Sequence, residues 1–145
     1  MYEQLRSIMT QMHTMTQQNL KVHGYLEKVL IAVTEKGPII NNLQWHDDAT
    51  REKVINNCIT SKAKMKCQMY VIIGEASVKE LSPEGMKSLD CILVSGEAKD
   101  GTVLAIMTPY TKENDIIQLG ETKWVDKKEQ LGSFAQMNMF KGIFG

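Results

Sequence analysis

The amino-acid sequence predicts an α+β fold: a single, mainly antiparallel sheet of five to six strands with an N-terminal helix, one central helix and room for a short C-terminal helix. Two observations predict it. Apolar runs are separated by short turns such as Glu35-Lys36-Gly37-Pro38 and Lys99-Asp100-Gly101, which are typical of hairpins. Two other stretches carry apolar residues at the helical spacing of three and four. Hairpins need no crossover, so the strands should be antiparallel and the helices should pack over the sheet.

The first 24 residues predict a helix. Leu5, Ile8, Met12 and Met15 recur at spacings of three and four, with mainly polar residues between them. The same spacing continues through Asn19, Val22, Leu26 and Val29, so two interpretations stay open. The helix packs on the domain's own sheet, or it forms a helical dimer seam in which the polar asparagine fixes the register.

Residues 25–128 predict the sheet and the central helix. After the first hairpin, Asp47 or Asp48 caps a helix whose inner face includes Cys58. The run CQMYVIIGEASV predicts a strand, and Ser82-Pro83-Glu84 then predicts one short helical turn. An Asp-Gly hairpin follows, and residues 129–145 form an apolar tail. The whole chain of 145 residues is interpreted as one domain.

The composition narrows the expected partners and compartment. The 17 basic and 17 acidic residues balance, so no net field draws the chain onto nucleic acid or an anionic membrane. No apolar run approaches the roughly 18 residues of a membrane helix, and no signal peptide is recognisable. The three cysteines, Cys58, Cys67 and Cys91, lack disulfide or zinc-ribbon spacing. We expect a cytoplasmic protein, or one made by a phage inside a bacterial cytoplasm.

Four acidic residues near predicted strand ends are the candidates for metal binding or acid–base chemistry: Glu75, Asp90, Glu97 and Asp100. Carboxylates can hold a divalent cation or act as general acid and base. If the strands of Glu75 and Glu97 are antiparallel neighbours, these two residues lie about 20 Å apart at opposite strand ends, too far for one site. Exposed acids at strand ends are the simpler interpretation.

The sequence lacks the motifs of phosphate binding, of nucleophilic hydrolysis and of zinc-dependent catalysis. The sequence has no phosphate-binding glycine loop, no G-x-S-x-G elbow and no H-E-x-x-H, and its three histidines have no partner at metal-ligand spacing. One basic cluster, Lys62, Lys64 and Lys66, follows Arg51 and Lys53 on the central helix, but no aromatic residue interleaves it to stack on bases. We therefore expect no cofactor and no nucleic-acid partner, and we lean towards a protein that is not an enzyme.

The C-terminal tail carries the most suggestive apolar pattern. Phe134, Met137, Phe140 and Phe144 recur at spacings of three and four. Such a stripe packs either on the chain's own sheet or on a partner, since methionine-rich surfaces adapt readily to other proteins.

The middle of the chain, residues 45–122, resembles a group of small uncharacterised bacterial and phage proteins. The likeness is carried by VIIGEAS, SPEG, CILVSGEAKDGTVLAIMTPYT and LGET, in this order. The order of helices and strands is also similar to that of roadblock and profilin-like folds. At the level of the fold alone, this similarity implies a scaffold or dimerisation module.

Three functional hypotheses follow from these patterns. The first is a non-catalytic protein–protein interaction module that forms a homo-oligomer through the N-terminal stripe (Leu5, Ile8, Met12 and Met15) and the tail stripe (Phe134, Met137, Phe140 and Phe144). The second is a small metal-dependent hydrolase or nuclease that uses the four acids. The third is a phage-encoded inhibitor that binds a host protein.

Overall fold

The computed structural model describes residues 1–45, 47–126 and 140–144. Its elements, in chain order, are α1 (Tyr2–His23), β1 (Val29–Thr34), β2 (Gly37–Asn42), α2 (Asp48–Lys64), β3 (Cys67–Ser82), β4 (Gly85–Ala98), β5 (Val103–Glu113), β6 (Ile116–Leu119) and β7 (Lys123–Val125). All strand pairs are antiparallel. The predicted α+β class is confirmed, with seven described strands in place of five to six.

The strands follow one another across the sheet in the order β2-β1-β3-β4-β5-β6, and β7 pairs with β5 beside β6. The sequential neighbours β1–β2, β3–β4, β4–β5 and β5–β6 are joined by short turns. Pro38 lies on β2 at the edge of the sheet, where its missing N–H costs no ladder hydrogen bond. In the Asp-Gly hairpin, Asp100 accepts a hydrogen bond from the N–H of Thr102 at 2.9 Å, and Gly101 has a φ of 96°.

Helix α1 ends at a glycine cap. Gly24 adopts the left-handed conformation with a φ of 75°, and its N–H donates to the carbonyl of Leu20. The Lys112 ammonium of β5 donates to the carbonyl oxygen of Gly24 at 3.1 Å. A cation at this point stabilises the negative end of the helix dipole.

One face of the sheet, here called the α1 face, packs against the N-terminal helix. Leu5, Met9 and Leu20 of the helix are 0–1% exposed. They contact a cluster on β1, β3, β4 and β5 that includes Ile31, Val71, Ile92, Val94 and Ile106. Each fully buried side chain of this size stabilises the fold by about 1.5–3 kcal/mol. The helix therefore packs on the domain's own sheet, as the first of the two interpretations expected.

The opposite face, here called the α2 face, is covered by α2 and by the described end of the tail. The N-cap Asp47 accepts a hydrogen bond from the N–H of Thr50 at 2.8 Å, as the sequence predicted for this helix start. Cys58 of α2 and Phe140 and Ile143 of the tail pack on Tyr70 and neighbouring residues of β1 and β3. Burial raises the pKa of the Cys58 thiol, which keeps it protonated and weakly reactive.

Strand β3 is longer than the sequence predicts. Strand β3 continues to Ser82, and β4 begins at Gly85 immediately after a tight turn. The predicted helical turn at Ser82-Pro83-Glu84 is therefore wrong. Gly85 has a φ of 117°, which a residue with a side chain adopts only with strain, so the glycine closes a hairpin here.

In the described part of the chain, neither helix combines the length and apolar character required to cross a bilayer.

Candidate functional site

Strands β3 and β4 extend beyond the body of the sheet as a two-stranded arm, defined here as residues 78–89. The pairing of β1 with β3 ends at Val29–Ile73, and the pairing of β5 with β4 ends at Asp90–Tyr110. Beyond these points β3 and β4 continue to pair only with each other, as far as Ser82–Gly85. Five residues of strand at about 3.4 Å each give a projection of about 17 Å.

Both backbone edges of the arm are open in the described part of the chain, over residues 85–89 on β4 and, for a longer stretch, on β3. Residues 74–82 of β3 pair with β4 on one side. On the other side, no strand of the described part of the chain pairs with them, because β1 reaches only to Ile73. This stretch is called the open edge of β3. An unpaired strand edge presents a row of N–H and C=O groups that can accept a further strand.

The tip of the arm exposes two apolar side chains. Leu81 is 80% exposed and Met86 is 64% exposed, and they are register partners on β3 and β4. A cross-strand pair of this kind lies on one face of the ribbon with its side chains in contact distance. Both residues have the strand parity of the α1 face, since Ile73 of β3 and Ile92 of β4 lie on that face.

The base of the arm is fixed by a hydrogen bond across the sheet. The Tyr110 hydroxyl of β5 donates to Oε1 of Glu75 at 3.2 Å, and Asp90 stands opposite Tyr110 on the strand between them. Partial burial, followed by the negative charge of Glu75 and the hydrogen bond to it, raises the pKa of Tyr110 to about 12. The phenol therefore stays a hydrogen-bond donor at neutral pH and holds Glu75 at the start of the open edge.

The structure brings Glu75 and Asp90 together as diagonal neighbours beside Tyr110 and separates this pair from Glu97 and Asp100. Glu75 lies in the interior of β3 opposite Ile92, and Glu97 lies five residues further along β4 opposite Tyr70. The two glutamates therefore stand about 17 Å apart along the strands. They also lie on opposite faces, because paired positions in β3 and β4 share a face and the parity changes between them. Asp100 caps the β4–β5 turn.

Glu97 has its own tyrosine partner on the α2 face. The Tyr70 hydroxyl donates to Oε2 of Glu97 at 2.8 Å, and Tyr70 is only 2% exposed. Burial, together with the adjacent carboxylate charge, raises the pKa of Tyr70 far above its ordinary value. Among the described residues, no three His, Cys, Asp or Glu side chains form a group that could hold a metal ion.

The predicted interaction residues of α1 do not form one exposed stripe. Leu5 is fully buried under the sheet, Ile8 and Met12 are half-buried at its margin, and Met15 is 53% exposed. The buried face runs through Leu5, Met9, His13, Thr16 and Leu20 instead. The helix ends at His23, so the predicted seam does not continue as a helix beyond Gly24.

His13 is buried in this helix face because the sheet offers it a partner. Its Nε2 lies 2.7 Å from Oγ1 of Thr108, which in turn lies 2.8 Å from Oγ1 of Thr122. Burial lowers the pKa of His13. The chain of three groups links α1 to β5 and to the exposed residue Thr122.

The apolar tail residues that the structure describes, Phe140, Ile143 and Phe144, pack inward. Phe140 is 1% exposed, and Phe144 is half-buried with its ring centroid 5.6 Å from that of Tyr70. At this end of the tail, the stripe packs on the chain's own sheet. Phe134 and Met137 lie outside the described residues.

The basic cluster is not one solvated patch. Lys62 is 4% exposed, whereas Lys64 and Lys66 are exposed at the end of α2 and after it. The exposed pair therefore lacks the third lysine that the sequence assigned to the same surface.

Sequence reasoning missed the arm and its open edge. The turn residues Ser82-Pro83-Glu84-Gly85 also fit a tight turn with proline at its second position and glycine at its fourth. That signal, with Leu81 and Met86 flanking it, could have indicated a hairpin. Comparisons with known protein families, with curated proteins and with solved structures found no match to this chain.

Proposed function

We propose that this protein is a non-catalytic protein–protein interaction module, and that it forms a homodimer through the open edge of β3. The single observation that carries the proposal is this edge, whose residues 74–82 have one side without a strand partner in the described part of the chain. A second copy provides a strand of the same length, whose outer N–H and C=O groups likewise have no strand partner among the described residues. Pairing the two edges would continue the sheet from one molecule into the next.

The charge of the arm favours a second copy as the occupant. Lys79 and Lys87 balance Glu80 and Glu84, so the arm has no net charge with which to repel its own copy. Natural edge strands are commonly protected by charged side chains, above all lysine, by a proline or by a bulge. The open edge of β3 carries one lysine, Lys79, but it has no proline, and its register with β4 is continuous from Met69 to Ser82.

The exposed tip adds an apolar contribution to the pairing. Leu81 is four-fifths exposed in the single chain. Burial of a leucine side chain stabilises an association by about 1.5–3 kcal/mol when it is complete. A two-fold dimer contains this residue twice, so the tip can account for a large part of the affinity.

The proposed compartment rests on the cysteines. All three are free and buried, which fits a reducing compartment, and on this basis we assign the dimer to the cytoplasm. Glu97 and Asp100 lie away from the pair Glu75 and Asp90, and the described residues hold no group of three possible metal ligands, which supports a role in binding other proteins over the metal-dependent hydrolase. A host protein is the alternative occupant of the same edge.

The test is light scattering coupled to size-exclusion chromatography over a range of protein concentrations. We expect a dimer at micromolar concentration that dissociates on dilution. If each of the two Leu81 side chains is half-buried in the dimer, Leu81→Ser removes about 1.5–3 kcal/mol per dimer and should raise the dissociation constant about tenfold to a hundredfold, since about 1.4 kcal/mol corresponds to a factor of ten. A wild-type chain that stays monomeric at the highest soluble concentration would reject the second copy as the occupant.

Val22→Ser is the matched control. Val22 is 76% exposed on α1, so the substitution removes a similarly exposed apolar side chain away from the arm. The dissociation constant of this variant should equal that of the wild type. An equal effect of both substitutions would show that dimerisation does not use the arm.

A further inference from the structure

We infer the register of this dimer: residues 74–82 of two copies pair in antiparallel fashion about a two-fold axis, with position 78 of β3 opposite itself. The inference rests on the proposed homodimer and specifies its geometry. It follows from three constraints on the open edge of β3, which are the parity of the strand, the length of the edge and the positions of its charges.

Parity limits the registers to those centred on a residue. A two-fold axis that pairs two copies of one strand stands perpendicular to the sheet, so the α1 faces of both copies lie on the same side. Opposite positions in an antiparallel pair share a face, and side chains alternate along a strand. Odd positions must therefore face odd positions. The axis then passes through one residue, and 77, 78 and 79 lie nearest the middle of the edge.

The length of the edge excludes a centre at Ser77. In that register Leu81 of the second copy would stand opposite Ile73. That position is already occupied by Val29, the first residue of β1. A centre at position 78 instead places Ser82 of the second copy opposite Gly74. All of residues 74–82 then pair, and the strand of the second copy ends where β1 begins.

Charge excludes a centre at Lys79. That register places the lysines of the two copies directly opposite each other, which destabilises a strand pair. With position 78 at the centre, each Lys79 stands opposite Ser77 of the second copy and diagonal to both Glu75 and Lys79 of that copy, so the two lysines are no longer directly opposite and each has a carboxylate at the same diagonal distance. Diagonal positions are about 7–8 Å apart at the backbone, within reach of long side chains. The hydrogen bond from Tyr110 already holds Glu75 at this place.

The same register gives the exposed leucine a neighbour. Leu81 of the second copy stands opposite Glu75 and diagonal to Ile73, which belongs to the core cluster of the α1 face. The tip of one arm thus extends the apolar surface of the other molecule at the end of β1. This is the same side chain whose removal is expected to weaken the dimer.

Disulfide crosslinking of introduced single cysteines tests the register directly. At the two-fold centre the Cα atoms of opposite residues lie about 4.5–5.5 Å apart, within the range of a disulfide. With oxidised glutathione as the oxidant, Val78→Cys should yield a covalent dimer on a non-reducing gel, whereas Ser77→Cys and Lys79→Cys should not. The wild type is the background control, since its own cysteines are buried. Crosslinking that is strongest at 77 or 79 would overturn the register.

A charge at the exposed Ser77 provides a second readout that needs no oxidation. In the proposed register Ser77→Glu faces Lys79 of the second copy and should lower the dissociation constant about threefold to tenfold, whereas Ser77→Lys should raise it by a similar factor. A centre at Ser77 would oppose like charges in both variants and weaken both dimers. Equal effects of the two substitutions would therefore refute the register.

These outcomes distinguish the two levels of the proposal. A wild-type monomer in light scattering refutes the dimer itself. A wild-type dimer that depends on Leu81 but crosslinks through position 77 or 79 leaves the interaction module in place and refutes only the register.

Discussion

Gly96 lies where α1 comes closest to the sheet, and Gly96→Ala tests that contact. A Cβ at this position would lie 2.9 Å from Cδ1 of Leu5, 2.9 Å from Sδ of Met9 and 3.2 Å from the carbonyl oxygen of Tyr70. The φ of Gly96 is not positive, so alanine meets no backbone strain of the left-handed kind. The effect of the substitution therefore reports the steric fit between helix and sheet.

Two opposing contributions set its expected size. Replacing a glycine by alanine where the backbone allows it stabilises a protein by about 0.4–1 kcal/mol, because the unfolded chain loses conformational freedom. Forcing an extra methyl group into a packed core costs about 1–3 kcal/mol. Because the Tyr70 carbonyl belongs to the backbone and cannot move as a flexible side chain does, we expect the steric cost to win, with a net destabilisation of about 1–2 kcal/mol.

Urea unfolding followed by circular dichroism measures the change in the free energy of unfolding. The double variant Gly96→Ala/Met9→Ala is the diagnostic partner. If Met9 and the new methyl group compete for the same space, the double variant should be more stable than the sum of the two single changes predicts. Gly96→Ala with unchanged or increased stability would refute the close contact between α1 and β4.

Two further predictions concern buried polar groups. Tyr70→Phe removes a 2.8 Å hydrogen bond to Glu97 and should lower the free energy of unfolding in urea by about 1.5–3 kcal/mol. Tyr110→Phe removes a 3.2 Å hydrogen bond to the exposed Glu75 and should lower it by less. Equal losses of stability would contradict the effect of burial on these two hydrogen bonds. The pKa of His13 is lowered in the folded chain, so the unfolded chain binds more protons near pH 6 and stability should fall as the pH drops below about 6.5, levelling off below the folded pKa. His13→Gln should flatten that dependence and His23→Gln, at an exposed residue, should not; a wild-type stability independent of pH between 5 and 7 would oppose this reasoning.

Turn chemistry and strand composition predicted most of the fold. The Asp-Gly turn, the Glu35-Lys36 turn and the Asp47 cap act through local geometry, so the sequence identified them without knowledge of the rest of the chain. Ser82-Pro83-Glu84 predicts a helical turn that the structure does not have, because a proline after a serine starts either a helix or a tight turn. The tight turn forms because residues 78–82 pair with β4, and this contact between strands cannot be recognised from the local sequence.

The inner face of α1 was only partly predictable. Counting apolar residues favoured Leu5, Ile8, Met12 and Met15, but the buried face includes His13 and Thr16. Thr16 is satisfied within the helix by a hydrogen bond to the carbonyl of Met12, and His13 is satisfied by Thr108, which lies 95 residues later. The second partner cannot be recognised from the pattern of the helix alone, because it is supplied by the tertiary fold.

The dependence of α1 on later strands has a consequence for synthesis. Helix α1 leaves the ribosome before the strands on which it packs, since Leu5 and Met9 are buried against β3, β4 and β5, and β5 ends only at Glu113. While β3, β4 and β5 are being synthesised, the apolar face of the helix lacks the strands that cover it in the folded chain. Exposed apolar surface of this kind is prone to aggregation, so the nascent chain is most vulnerable during this interval.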